Sequence, residues 1–255
     1  TFQESFRCVP MPKFLFDCGN TCIKFALFTE EQGLSQHQFI DYSILHSFVK
    51  KLFVLYPMPD EIKISSVTRT ERLETLLTNI AEFTDIPPTI AVSQSAAFGL
   101  TNQYDQAQTL GIDRWLAMLA AWDIYHESTL VVDLGTALTI DYITADGKFE
   151  GGLILPGLKS LRDALLKDTA IRNIPELPYT NELGHNTSAC ISSGIHYAIV
   201  GSILALHQSL PDVKSVVLSG GRAKWLKDIL EPVLPKTEYH VHKHLVLEGL
   251  LRFEN

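Results

Sequence analysis

A chain of 255 residues with 46% hydrophobic and 20% charged residues carries enough apolar material for ordinary globular cores, which excludes a disordered polymer. Its formal net charge of −8 and pI near 5.6 disfavour nucleic acid and anionic membranes as partners, so a phosphate site must rest on backbone N–H groups, metal ions and a few local cations. No apolar run approaches the roughly 18 to 20 residues that span a bilayer, and four cysteines without a Cys-x-x-Cys pair fit the reducing cytoplasm.

Residues 1–12 hold two prolines and no hydrophobic targeting core, and read as a poorly ordered leader. From Phe14 an apolar strand runs into Asp17-Cys18-Gly19-Asn20-Thr21-Cys22 and out through Ile23 and Lys24 into a second strand, and alternation over 36–42 predicts a third. Ser43 reads as the N-cap of a helix over 44–56 that Pro57 and Pro59 stop. A short strand over 62–67, a helix over 71–83 with Leu73, Leu76, Leu77 and Ile80 on one face, and a strand over 89–92 follow. Residues 102–106, including Tyr104, form a polar loop. Leu110-Gly111-Ile112-Asp113-Arg114-Trp115 then opens a helical run over 116–125. Asp113 falls in the first helical turn, where a carboxylate meets the positive helix end; capping beside a solvated arginine and a functional role both remain open at this point.

The second half repeats the plan. Strand 129–133 enters Asp133-Leu134-Gly135-Thr136, strands 138–144 and 149–155 flank a hairpin at 145–148, and helices over 158–167 and 186–209 follow. Strand 215–218, the turn Ser219-Gly220-Gly221, helix 222–230, strand 238–241 and a helix over 245–253 complete the order. Apolar strand, Ser-Gly-Gly, helix is a plausible nucleoside cradle, because glycine backbone can lie against a ring at a helix N-terminus. His240, His242 and His244 alternate and would share one strand face with spacing suited to Zn²⁺ or Ni²⁺, but no neighbouring Cys or carboxylate pair completes a set, and solvated surface histidines explain them as well. Cys18 and Cys22 flank a turn and read as small buried thiols rather than a disulfide or a metal site.

Asp17 and Asp133 lie 116 residues apart, each at the end of an apolar strand and followed by x-Gly and small polar residues, which implies that a whole domain is duplicated. The expected division is 13–115 and 116–255. A glycine at a hairpin tip lets a phosphate oxygen approach backbone N–H groups, and the aspartate can hold Mg²⁺ or its waters against the phosphates. Either loop alone could be an ordinary hairpin turn; two in matching context favour a nucleotide triphosphate clamp.

These segments together resemble the type III pantothenate kinases, members of the acetate kinase, sugar kinase, Hsp70 and actin superfamily. The resemblance rests on Asp17, Gly19, Asn20, Thr21 and Lys24; on Gly111, Asp113, Arg114 and Trp115 with Tyr104 upstream; on Asp133, Gly135, Thr136, Ala137, Thr139 and Asp141; on Gly151 to Gly157; and on Asn186, Thr187, Ser193 and Gly194. Ala107 departs from the family's usual proline. The resemblance implies an α/β fold of two duplicated ribonuclease-H-like, actin-like domains, each a mixed five-stranded sheet flanked by helices, with the active site in the cleft between them. It further implies ATP-dependent phosphorylation of pantothenate, with Asp113 as proton acceptor. ATP would be held by Asp17, Cys18, Gly19, Asn20, Thr21, Cys22, Ile23, Lys24 and Thr136, and pantothenate by Tyr104, Gly111, Ile112, Asp113, Arg114 and Thr187. Mg²⁺ would sit at Asp17 through water, and a monovalent cation, K⁺ or NH₄⁺, at Asp133. A cytoplasmic homodimer with the substrate site near its interface belongs to the same resemblance, and no nucleic acid or membrane does. Another small-molecule kinase of the superfamily, or a non-catalytic regulator like the Bvg accessory factors, are the alternatives.

Overall fold

A computed structural model describes residues 11–168 and 178–254, so all but the last two residues of the expected leader lie outside the described residues. Two compact units emerge. One is built from the chain up to Ser93, Gln108–Ala117 and the segment from Val246 onward; the other from Gln94–Ala107 and Met118–Leu245. The units are thus interleaved along the chain rather than divided near residue 115.

The first unit begins with β1 (Lys13–Cys18), β2 (Ile23–Thr29) and β3 (Gly33–Ile40), followed by α1 (Leu45–Leu55), β4 (Glu61–Ser66), α2 (Thr70–Ala81) and β5 (Thr89–Ile90). The five strands lie in the order β3-β2-β1-β4-β5, with β1 antiparallel to β2 and parallel to β4. β1 is buried along nearly its whole length, as a continuous apolar run at the centre of a sheet requires. Phe14, Phe16 and Phe25 pack with Phe48 and Leu52 of α1 and Leu76 and Ile80 of α2, and Phe25 meets Phe14 and Phe48 edge-on at 5.7 and 5.4 Å. The expected cap of α1 shifts by two residues. A 3-10 turn over Tyr42–Ile44 precedes the helix, and Asp41 accepts from the Ser43 backbone N–H at 2.9 Å.

The second unit contributes β6 (Ala96–Ala97), β7 (Leu100–Asn102) and most of α3 (Ile112–Tyr125), then β8 (Thr129–Leu134), β9 (Ala137–Ile143), β10 (Lys148–Pro156), α4 (Leu158–Asp168), α5 (Thr187–Ser209), β11 (Ser215–Ser219), α6 (Ala223–Leu230) and β12 (Glu238–Val241). Its sheet runs β12-β11-β8-β9-β10-β7-β6. The five strands β10-β9-β8-β11-β12 reproduce the order and directions of the first sheet, so the duplication is structural. The expectation of five strands fails here: among the described residues the sheet has seven, because β7 pairs in parallel with β10 at Lys148↔Thr101 and Phe149↔Asn102 and carries β6 with it. The turn between β6 and β7 uses Phe98 and Gly99 at φ 50 and 82, and strands of two and three residues are too short for alternation to reveal.

Helix α5 corrects a second expectation. Over its most apolar 18 residues the 23-residue helix has mean hydropathy 1.7, long and apolar enough by length and composition to cross a membrane. The serines, glycines and histidine that break the run in sequence do not break the helix. Ile195, Ile199, Val200 and Ile203 pack into the second core with Leu130, Val132, Val216 and Leu218, which accounts for the apolar character without a bilayer.

The last helix, α7 (Leu245–Arg252), reaches the first unit, where Lys63 receives it. Lys63 is 5% exposed. Its ammonium donates to the carbonyls of Leu251 at 3.0 Å and Phe253 at 2.7 Å, groups at a helix end that have no partner within the helix.

Candidate functional site

The first loop is built where β1 hands over to β2. Register sets Asp17 opposite Lys24, and the Asp17 Oδ2 lies 3.3 Å from the Lys24 ammonium. Ser65 of β4 donates to Asp17 Oδ1 at 3.2 Å. Gly19 N–H donates to the Cys22 carbonyl at 3.1 Å, which closes the turn and leaves Asn20 and Thr21 exposed at its tip. Two residues that sequence reasoning missed hold this tip from outside. The Tyr42 hydroxyl donates to the Gly19 carbonyl at 2.7 Å, and Arg72 donates to the Asn20 carbonyl while its guanidinium lies 4.4 Å over the Tyr42 ring. Nothing in the local sequence around Tyr42 or Arg72 marks them, since they reach the loop only through the fold. Cys18 and Ile23 are buried; burial pushes the Cys18 thiol up to about 12 and raises that of Cys22, so both remain protonated and unreactive.

The second loop is tighter. Asp133 pairs with Thr139 across β8 and β9, and Gly135 N–H donates to the Ala137 carbonyl at 2.9 Å, leaving Gly135 and Thr136 exposed. Two glycine motifs press on it from either side. Gly157 N–H and the Ser160 hydroxyl both donate to the Thr136 carbonyl at 3.0 Å, and a Cβ at position 157 would stand 2.3 Å from the Gly135 carbonyl oxygen. Gly220 adopts φ +85, and a Cβ there would meet the Leu134 carbonyl oxygen at 2.5 Å. Beside Gly135 opens a cavity of about 290 Å³, walled by Leu134, Leu158, Lys159, Arg162, Asp163, Tyr179 and Arg222. Lys159 is paired with Asp163 at this rim, 2.5 Å apart, and Arg162 and Arg222 are the other cations of the lining.

The Gly111–Trp115 segment starts α3 four residues earlier than expected, at Ile112. Trp115 N–H donates to the Gly111 carbonyl at 3.1 Å, the first turn of the helix. Asp113 is half-buried and accepts from the Arg114 N–H at 2.8 Å. Arg114, expected in solvent under the capping reading, is 6% exposed, and Ile112 and Trp115 are buried with it. Ser93 donates to the Leu110 carbonyl at 2.8 Å and secures the approach to this turn.

Tyr104 sits in the loop after β7. Asn102 organises that loop: its side chain accepts from Tyr104 N–H at 3.0 Å and donates to the carbonyls of Gln94 at 3.1 Å and Ala107 at 3.2 Å. The loop is therefore pinned at Ala107 despite the missing proline. The Tyr104 ring stacks on Phe149 at 5.5 Å. Thr187 is exposed at the start of α5, behind Asn186, which caps the helix by accepting from Ala189 N–H at 3.0 Å.

The expected site residues therefore fall in two groups. Asp17 to Lys24 and Gly111 to Arg114 belong to the first unit; Tyr104, Asp133, Thr136 and Thr187 belong to the second. The alternating histidines do not act together: His240 stacks on Tyr125 at 4.0 Å, whereas His242 Nε2 lies 2.7 Å from the Tyr125 hydroxyl.

Comparison with known proteins bears on the fold and the family. A solved glucokinase of the ROK family from Streptomyces griseus, in complex with glucose and AMPPNP, is 13% identical and aligns with 94% of this chain and 97% of its own at a TM-score of 0.51. The activator of 2-hydroxyisocaproyl-CoA dehydratase from Clostridium difficile, solved with ADPNP, gives 0.54 at 13% identity over 94% of this chain and 92% of its own. At those identities the likeness establishes the fold, that of the actin-like ATPases and sugar kinases. In sequence, a type III pantothenate kinase from Alcanivorax borkumensis is 33% identical over 244 residues, 92% of this chain and 96% of the relative. Another from Pseudoalteromonas atlantica is 32% identical over 250 residues, 94% and 96% of the two chains. The sequence model described as Type III pantothenate kinase matches residues 13–209, and with these relatives it shows that the chain belongs to the type III pantothenate kinase family.

Proposed function

We propose that the chain transfers the γ-phosphoryl group of ATP to the primary hydroxyl of pantothenate, giving 4'-phosphopantothenate, the first step of coenzyme A biosynthesis. The observation that carries this reading is the presence, in a chain of this family, of two hydrogen-bonded Asp-x-Gly loops together with Asp113 at the head of α3. In the reaction Asp113 accepts the hydroxyl proton as the pantothenate oxygen attacks phosphorus, and the bond to the ADP oxygen breaks. Phosphoryl transfer asks the protein mainly for positioning and charge neutralisation. The N-terminal end of α3 favours the ionised carboxylate that a base requires.

The backbone N–H groups, Asn20 and Thr21 of the first loop and Thr136 of the second would hold the phosphates of one nucleotide, with Arg72 adding a cation at the rim. Asp17 already accepts from Ser65 and pairs with Lys24, a setting that suits contact with Mg²⁺ through its waters rather than directly. Asp133, a half-buried carboxylate at a strand end, suits a hard monovalent cation, K⁺ or NH₄⁺. These ions supply charge neutralisation at the phosphates. Tyr104, Gly111 to Arg114 and Thr187 would receive pantothenate, in a cytoplasmic homodimer that sediments at about twice 28.5 kDa. A regulator that had lost catalysis would lack one of Asp17, Asp113 and Asp133, and all three are present. A different small-molecule kinase of the superfamily would share the Asp-x-Gly loops but lack Gly-x-Asp-Arg-Trp, which stands here at Gly111 to Trp115.

A coupled ADP-release assay tests the proposal. Release should depend on pantothenate and rise when K⁺ or NH₄⁺ replaces Na⁺. Release that ignores pantothenate, or none under any of these conditions, would refute it.

A further inference from the structure

β12 is an edge strand of the second sheet, and Glu238 and His240, two residues apart, project from the same face of it. Register carries that face inward: Glu238 lies beside Ser215 of β11, and Ser215 beside Thr129 of β8. The Thr129 and Ser215 hydroxyls are 2.9 Å apart, and Thr129 also donates to the carbonyl of Glu127 at 3.0 Å. Glu127 follows His126, whose left-handed backbone at φ 48 turns the chain out of α3. This path returns the Glu127 side chain to the start of β12, so that one ligand atom from each of Glu127, Glu238 and His240 lies within 4.8 Å of the other two.

The imidazole is the telling member. His240 Nε2 is sealed from solvent and has no hydrogen-bond partner among the described residues; Glu238 Oε2, at 3.8 Å, is too far to serve as one. A buried nitrogen left unbonded is costly, and two carboxylates gathered beside it repel each other. A single cation resolves both conditions. We propose that Glu127, Glu238 and His240 bind a divalent transition-metal ion of the zinc class, with water completing a tetrahedron. Bonds of about 2.0–2.2 Å place neighbouring ligand atoms roughly 3.4 Å apart, so small side-chain rotations close the observed gap. One imidazole and two carboxylates suit Zn²⁺ or Co²⁺, whereas Ca²⁺ takes six to eight oxygens and Mg²⁺ keeps an octahedral, largely hydrated shell.

The surroundings prepare the ligand. Tyr125 stacks on His240 at 4.0 Å and so fixes the ring plane, with its own hydroxyl held 2.7 Å from His242. The site stands at the N-terminal end of β8 and Gly135 follows the C-terminal end, about 20 Å away along six residues of strand. Its work is therefore structural: the ion staples the edge strand β12 to the connection between α3 and β8.

The test uses untagged full-length protein, stripped with chelator and titrated with Co²⁺ in the absence of nucleotide. We expect one Co²⁺ per chain, the intense visible absorption of four-coordinate cobalt, and a raised Tm. His240→Phe keeps the stack on Tyr125 while deleting the nitrogen, and should lose both the absorption and the rise in Tm. His242→Phe should retain them. Glu127→Gln, together with Glu238→Gln, should weaken binding at least tenfold, and this variant gives the same reading if His240→Phe does not fold. Weak absorption with no change in Tm, or binding that survives loss of either ligand set, overturns the proposal.

Discussion

The Tyr42 hydroxyl donates to the Gly19 carbonyl at 2.7 Å, which ties the tip of the first Asp-x-Gly loop to the turn that follows β3. Burial raises the Tyr42 pKa, so the phenol stays a donor across the working range. Tyr42→Phe deletes this bond and little else. A net loss of about 1 kcal/mol in loop order should appear as roughly a fivefold higher KM for ATP with kcat within twofold. An unchanged KM would show that the loop holds its shape without this residue.

Asp113→Asn separates chemistry from capping. An amide oxygen can still accept from Arg114 N–H, now at 2.8 Å, and Asn serves helix starts about as well as Asp. Tm should move by no more than a degree or two, while kcat falls on the order of 10² to 10⁴, the worth of a positioned general base. Near-normal turnover removes Asp113 from the reaction.

Two glycines of the second loop should behave differently. A Cβ at Gly135 finds Asp133 Oδ1 at 3.4 Å and the Ala137 carbonyl at 3.9 Å, ordinary contacts, so Gly135→Ala should fold normally and lose affinity for nucleotide alone. At Gly157 the same atom meets the Gly135 and Thr136 carbonyls at 2.3 and 2.7 Å. Gly157→Ala has to displace the loop, and should cost about 2–3 kcal/mol in urea unfolding as well as nucleotide binding. Equal stability of the two variants would contradict this.

His196 makes stability depend on pH. It is 5% exposed, lies edge-on to Trp225 and Tyr197, and burial lowers its pKa below the ordinary 6.5. The unfolded chain then binds the proton more readily. The contribution of the neutral ring is complete above about 6.5 and is lost as pH falls through that value towards the lowered folded pKa. His207 and His240 are shifted in the same direction, each chiefly by burial. Tm should fall between pH 7.5 and 5, and His196→Phe should flatten part of the slope; identical slopes would show that His196 does not titrate there.

Much of this molecule could be read before it was seen. The two Asp-x-Gly hairpins announced themselves because strand, turn and strand are contiguous, and the matching strand orders are the physical form of that repeat. Asn102 read as part of a polar loop, since its three bonds to Gln94, Tyr104 and Ala107 exist only once β7 has paired with β10. Glu127 was passed over for a similar reason: it is 111 residues from Glu238 in sequence, and register alone brings it to β12. Local pattern carries elements and their motifs. Partners assembled by pairing across a sheet leave no trace in it.

Lys63 sets the order in which the chain can finish folding. A ribosome that has reached Ser93 has delivered every strand of the first sheet, Lys63 among them, but neither carbonyl that Lys63 holds. Those arrive 188 and 190 residues after it, once Met118–Leu245 has been synthesised. The second unit then has all its parts before the first does, and until then the Lys63 ammonium has the Glu61 carboxylate, 3.4 Å away on the same strand, but neither of its carbonyl acceptors. Nascent chains stalled before residue 246 should accordingly carry a protease-resistant second unit and a labile first one, the reverse of the usual N-terminal-first sequence.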